Sequence, residues 1–273
     1  MTGLPRSIRR FIIILEFFGL LALLSGGYYT FFLRITPTCF DSQQNQNETG
    51  IDCGGICKAA CQEVLTGEAL QFKEVAFVPG GEGSYDVLAR VYNPNDVVGA
   101  SSFHYTFQLK GAGGQVLATK EGDNFILPQE TKSLIEIRLV TREKPASVTV
   151  ETSAVAWERF SGYRERPAIS IYQKRYDQLA SGVGFGAATG LVVNESPYDF
   201  RSIHVKVILR AADDTPLAFN TTRQDTLKAG DQRDFRLLWP NPFPGKVEKI
   251  DMEVDADVYH SDNFIQQYSP GSN

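Results

Sequence analysis

The chain repeats itself at a fixed offset of 100 residues. Leu109, Leu117, Leu127, Ile137 and Val150 recur as Leu209, Leu217, Leu227, Leu237 and Ile250. A register held over that length requires one folding unit to be built twice. In FHYTFQLK, residues 103–110, Phe103, Tyr105, Phe107 and Leu109 alternate with His104, Thr106, Gln108 and Lys110. That is the period of a strand with one apolar and one wet face. In the second copy, Ile203, Val205, Val207 and Leu209 are the inward set. Further runs such as YDVLARVYN, LIEIRLV and SVTVETSAVAW are broken by Pro79-Gly80-Gly81, Asn93-Pro94-Asn95-Asp96 and Gly111 to Gly114. Strands at about 8–12-residue spacing with such turns predict a β-sandwich. The expected layout is sandwich 1 over residues 68–157, a linker over 158–167, sandwich 2 over 168–260 and a frayed tail over 261–273.

Two segments precede the repeat. Residues 11–33, FIIILEFFGLLALLSGGYYTFFL, form one apolar run after a basic leader, residues 1–10. A helix of that length spans roughly the 30 Å apolar core of a bilayer. Arg6, Arg9 and Arg10 against Arg34 place the N-terminus in the cytoplasm and the bulk outside, extracellular or periplasmic. A cleaved signal peptide, with Ser25 and Gly27 before Tyr28, is the competing reading; the run is longer than an ordinary signal core. Glu16 is the run's only ionisable residue, either a tolerated near-interface acid or a docking point for a partner helix.

All four cysteines, Cys39, Cys53, Cys57 and Cys61, fall within residues 36–62. A segment this short cannot bury a core, so two disulfides are expected in its place, with three pairings open. Zinc is the rival, but the spacing and the location outside a membrane favour disulfides. Asp41, Asn45, Glu48 and Asp52 can be read as oxygen ligands for calcium or as turn residues capping their own backbone; the spacing is not that of an EF-hand. No other cofactor is expected.

Net charge is −5 overall; residues 1–34 carry +3, which leaves −8 for the remainder. An acidic outer portion argues against a nucleic-acid partner and leaves lipid and other proteins. The sequence holds no G-x-S-x-G, H-E-x-x-H or P-loop. His104 and His204 fall at equivalent repeat positions on the wet face, and with His260 they complete the histidines; none sits in an acid, base and nucleophile set. Gly182 to Gly186 reads as strand irregularity, and the sequons at Asn47, Asn194 and Asn220 matter only where glycosylation machinery exists.

Two resemblances follow from these motifs. Cys39, Asp41, Asn45, Glu48, Thr49, Asp52, Cys53, Gly54, Gly55 and Cys57 match the pattern C-x-D-G-x-x-N-x-x-E-T-x-x-D-C-G-G-x-C of an extracellular, often bacterial, cysteine-rich module, with Ser42 in place of the usual Gly. Val91-Tyr92-Asn93 and Leu127-Pro128-Gln129-Glu130 in copy one, and Gly190 to Asn194, Leu227 to Asp231 and Phe235-Arg236-Leu237 in copy two, resemble FxLYD and late-embryogenesis-abundant type-2 domains, with Gln129 where Gly is usual. The resemblance implies Ig-like sandwiches and says little of function. The expected fold is mostly β: one transmembrane helix, a small disulfide-rich module and two tandem Ig-like sandwiches. The expected function is a non-enzymatic, single-pass surface protein with structural or binding duties. The alternative is an accessory subunit of an envelope assembly, of secretion or pilus type, docking through its helix.

Overall fold

A computed structural model describes residues 5–30, 39–59, 61, 65–160, 166–180, 184–261 and 263–264. Phe31 to Leu33 of the apolar run, residues 161–165 of the expected linker and most of the expected tail lie outside the described residues. The chain divides into two compact units, residues 1–64 and 65–273.

The first unit holds α1 (Arg6–Tyr28), 23 residues with none buried. It starts five residues earlier than the apolar run, directly after Pro5. Proline fixes a helix-compatible φ and has no N–H to leave unsatisfied at a helix start. By length and composition α1 can cross a membrane. The cysteine segment is closed by Cys39–Cys57 and Cys53–Cys61.

The second unit contains β1 (Gln71–Gly81), β2 (Ser84–Tyr92), β3 (Val98–Lys110), β4 (Val116–Ile126), β5 (Thr131–Val140) and β6 (Ser147–Arg159). Then come β7 (Ile169–Gln178), β8 (Gly186–Asn194), β9 (Phe200–Arg210), β10 (Pro216–Leu227), β11 (Gln232–Trp239) and β12 (Lys249–Ala256). The sheets are β1-β2-β5 and β4-β3-β6 in the first copy, and β7-β8-β11 and β10-β9-β12 in the second. Adding six to each strand number maps one pair of sheets onto the other, so the sequence repeat is a repeat of topology. Within each copy the two sheets close on one core. Val87, Ala89 and Val91 of β2 meet Phe103, Tyr105, Phe107 and Leu109 of β3. Val192 of β8 meets Ile203, Val205, Val207 and Leu209 of β9. The inward sets expected for both strands are the buried ones.

The same buried asparagine ties each copy together. Asn93 Nδ2 donates to Val98 O at 2.8 Å and Leu127 O at 2.9 Å. Asn194 Nδ2 donates to Tyr198 O at 2.7 Å and Lys228 O at 2.9 Å. Both are fully buried, so each amide offers carbonyls a partner that water cannot supply. The turn that each clamps contains one left-handed residue: Gln129 at φ 53° and Gly230 at φ 78°. The glycine that the resemblance expects at Gln129 belongs to this backbone requirement. Gln129 adopts it while its side chain takes Tyr92 Oη at 2.7 Å and donates to Pro94 O at 2.6 Å.

Two expected boundaries move. β6 runs through Arg159, and Phe160, placed in the linker by its charged neighbours, is buried 5.3 Å from the Tyr259 ring. The tail does not fray where it is described: Ser261 and Phe264 are buried, and Phe264 meets the Tyr198 ring at 5.1 Å. A polar segment with two aromatics gives no periodicity to read; Phe264 is held by its edge contact with the Tyr198 ring.

Candidate functional site

Two places gather side chains that sequence reasoning could not connect: the disulfide module, and the seam between the sandwiches.

In the module, Asp52 Oδ1 and Oδ2 accept the backbone N–H groups of Asp41 at 3.0 Å and Ser42 at 2.9 Å. Asp41 Oδ1 accepts Gln43 N–H at 3.0 Å, and its Oδ2 accepts Asn45 Nδ2 at 2.9 Å. Glu48 Oε2 accepts the backbone N–H of Asn45 at 3.2 Å and of Asp52 at 3.3 Å. The four residues do meet on one loop, as capping groups for a chain too tightly folded to satisfy its own amides. Asn45 Oδ1 is buried with no hydrogen-bond partner. Cys39, Glu48 and Cys57 converge as closely as metal ligands would, but both sulfurs are spent in one disulfide, and no thiolate remains to bind an ion. Gly55, at φ 57°, has its Cα so close to the chain that a Cβ would lie 1.8 Å from Asn47 O. Ser42, where the resemblance expects glycine, also has a positive φ, 59°.

At the seam, the sheet β1-β2-β5 of the first copy faces β10-β9-β12 of the second. The centre is apolar: Val78, Leu88 and Ile135 against Ile208 and Phe219, all buried. Charged groups surround it. Arg210 donates to both carboxylate oxygens of Glu74, at 2.8 and 2.9 Å, and to Asp251 at 2.7 Å. Glu253 accepts from Arg90 at 3.0 Å and from the Ser133 N–H at 3.1 Å. Asp255 lies between two ammonium groups, Lys132 at 2.7 Å and Lys206 at 2.9 Å. Lys206 also donates to Ser133 O at 2.5 Å, and Lys132 to Phe125 O at 2.7 Å while lying 3.5 Å over that ring. Burial pushes the Asp255 carboxyl up, but the two ammonium groups outweigh it and hold it well below the usual carboxylate range. These contacts fix how one sandwich sits on the other. The wet outer face expected for the repeated strand therefore fails in copy two from Lys206 onward, because copy one covers it.

Two of the histidines stay apart from this network. His104 Nδ1 is 3.0 Å from Asp123 Oδ1 on an exposed face, and His260 Nδ1 is 2.8 Å from Asp257. His204, exposed on β9, stands opposite Asp255 of β12 and borders the same hollow as Lys206. Glu16 lies on α1, exposed like its neighbours. Of the sequon asparagines, Asn194 is buried and committed to the clamp, whereas Asn47 is exposed.

Four edge strands carry a non-glycine residue with positive φ: Arg138 on β5, Ala154 on β6, Gln173 on β7 and Thr226 on β10. Pairing is irregular beside the first three. Such kinks blunt an edge against the addition of another strand.

No protein-family model matches the chain, and no curated protein does. Among solved structures, red sea bream transglutaminase aligns over 72% of this chain at 14% identity, with a TM-score of 0.23. The chain spans 29% of that enzyme. The calcium-binding domain CBD12 of CALX1.1 aligns over 60% of this chain and 75% of its own length, at 11% identity and a TM-score of 0.20. An Amycolatopsis orientalis exo-chitosanase, CsxA, covers 66% of this chain and 26% of its own, at 14% identity and 0.16. Likenesses of this size support no statement about activity.

Proposed function

We propose that the chain is a non-enzymatic, single-pass membrane protein that holds two Ig-like sandwiches outside the membrane as one rigid binding or spacing body. The observation that carries the reading is α1: 23 residues with none buried against protein, whose first turns carry Arg6, Arg9 and Arg10 ahead of the apolar run. Such a helix is stable when lipid covers it. The disulfide pairs support an oxidising compartment on the far side. The shared topology of the two copies supports the Ig-like resemblance, and the seam supports rigidity. The hydrogen bonds of Asp41, Glu48 and Asp52 to backbone amides favour turn caps over a calcium cage, so chelation should leave the module's thermal stability unchanged.

The deciding experiment is protease accessibility on intact cells expressing the full chain tagged at either end. The expected result is a carbonate-resistant membrane protein whose C-terminal tag is digested from outside and whose N-terminal tag is protected. A soluble secreted form with a new N-terminus near Tyr28 would overturn the anchor in favour of a signal peptide.

A further inference from the structure

The seam does not close along its whole length. At one end it leaves a groove of about 410 Å³, bordered by the β1–β2 hairpin, β5, β10 and the chain after β11. Its floor is apolar, Ile137 and Phe219, and its lips are the exposed side chains of Val140 and Leu238. One carboxylate is largely buried in the wall. Asp86 is 8% exposed, and its Oδ1 accepts the Arg138 backbone N–H at 2.9 Å. Among the described residues Asp86 makes no ion pair, and its second oxygen accepts no hydrogen bond. The other charged side chains lining the groove are Glu82 and Arg138, so the lining is net acidic.

Asp86 Oδ1 caps the Arg138 N–H where the β2–β5 pairing is irregular, which leaves its other oxygen for the groove. On β2 it shares a face with Leu88 and Arg90, both of which contact copy two, yet Asp86 meets only the empty end. With one oxygen committed to the Arg138 N–H and the other open to the groove, the carboxylate keeps an acceptor for an incoming donor. A cation arriving through the groove gains a charge-assisted hydrogen bond in a poorly solvated place.

We infer that this groove is a docking site for an extended protein segment carrying one lysine or arginine between apolar residues, its cationic head on Asp86 and its flanking side chains on Val140 and Leu238. The volume accommodates a few side chains rather than a folded surface. Main-chain strand addition is not the mode, since β5 is kinked at Arg138 beside the groove. The inference deepens the binding-module reading and rests on it for the partner being a protein.

The test is fluorescence anisotropy of the full chain in detergent with a labelled peptide, Ac-Gly-Val-Lys-Val-Gly-NH2, and its twin with norleucine for lysine. Saturable binding of the lysine peptide, weakened about tenfold or more in the twin and in Asp86→Asn, is the expected result, since a charged hydrogen bond of this kind is worth that factor. Val140→Lys, on the exposed lip, places a like charge at the entrance and should weaken binding whether or not Asp86→Asn folds. The absence of saturable binding, equal binding of the two peptides, or indifference to both substitutions would overturn the proposal. Binding by a chain that fails the protease-accessibility test would reject the anchor and leave the groove standing.

Discussion

Strands β3 and β9 occupy the same place in the two copies, and their inner faces do the same work. Phe103, Tyr105, Phe107 and Leu109 fill one core; Ile203, Val205, Val207 and Leu209 fill the other. Their outer faces have parted. Thr106, Gln108 and Lys110 are partly exposed, whereas Lys206, Ile208 and Arg210 are buried beneath the first sandwich. The neighbouring strands follow: Phe219 pairs with Ile208 where Thr119 pairs with Gln108. The interface joins unlike faces, the β1-β2-β5 sheet of copy one and the β10-β9-β12 sheet of copy two. Contacts between unlike faces extend indefinitely unless the ends are made unsuitable. Here both outward sheets present polar positions where the seam is apolar: Gln108 and Thr119 at one end, Thr189 and Arg236 at the other. Neither outward sheet therefore repeats the apolar centre of the seam.

The largest effect should come from removing the shared carboxylate. Asp255→Asn leaves Lys132 and Lys206 buried without a counter-charge, and urea unfolding should show a loss of about 3–5 kcal/mol. Exchanging the outer faces tests the comparison directly. Ile208→Gln, which copies the first repeat into the second, should cost about 2–4 kcal/mol by burying an unpartnered amide. The reverse change, Gln108→Ile, should stay within about 0.5 kcal/mol. Equal costs would mean that the seam is not a buried core. Acid should weaken the seam as well. The Asp255 pKa is depressed in the folded state, so its contribution is complete above the unfolded carboxylate value of about 3.9 and is lost as pH falls below it. The thermal midpoint should fall from about pH 4 downward, with the loss continuing until the depressed folded value is passed, and by less in Asp255→Asn, which lacks the titrating group. An effect smaller than that of Asp255→Asn or Ile208→Gln lies in the paired turns. Gly230→Ala meets no neighbour within 4 Å, so its cost should be conformational alone, about 1 kcal/mol at φ 78°. Gln129→Gly regains that conformational freedom but gives up the hydrogen bonds to Tyr92 and Pro94, so the two substitutions should not mirror each other.

The sequence by itself determined the repeat, the inward face of each central strand, the helix at the N-terminus and the disulfide-linked character of the cysteine segment. Each of these is a local property: alternation fixes which side of a strand is apolar, and four clustered cysteines in a core-less segment leave little else to hold it. Ile208 against Gln108 was a visible difference between the copies, but a single apolar residue on a wet face is ordinary and carries no instruction about what covers it. The cysteine pairing, the burial of Lys132, Lys206 and Asp255, the docking of Phe160 and Phe264, and the groove at Asp86 were decided only by the tertiary structure. They depend on which groups come together in space, not on their neighbours along the chain. A lysine reads as exposed until a carboxylate from another sheet is placed beside it.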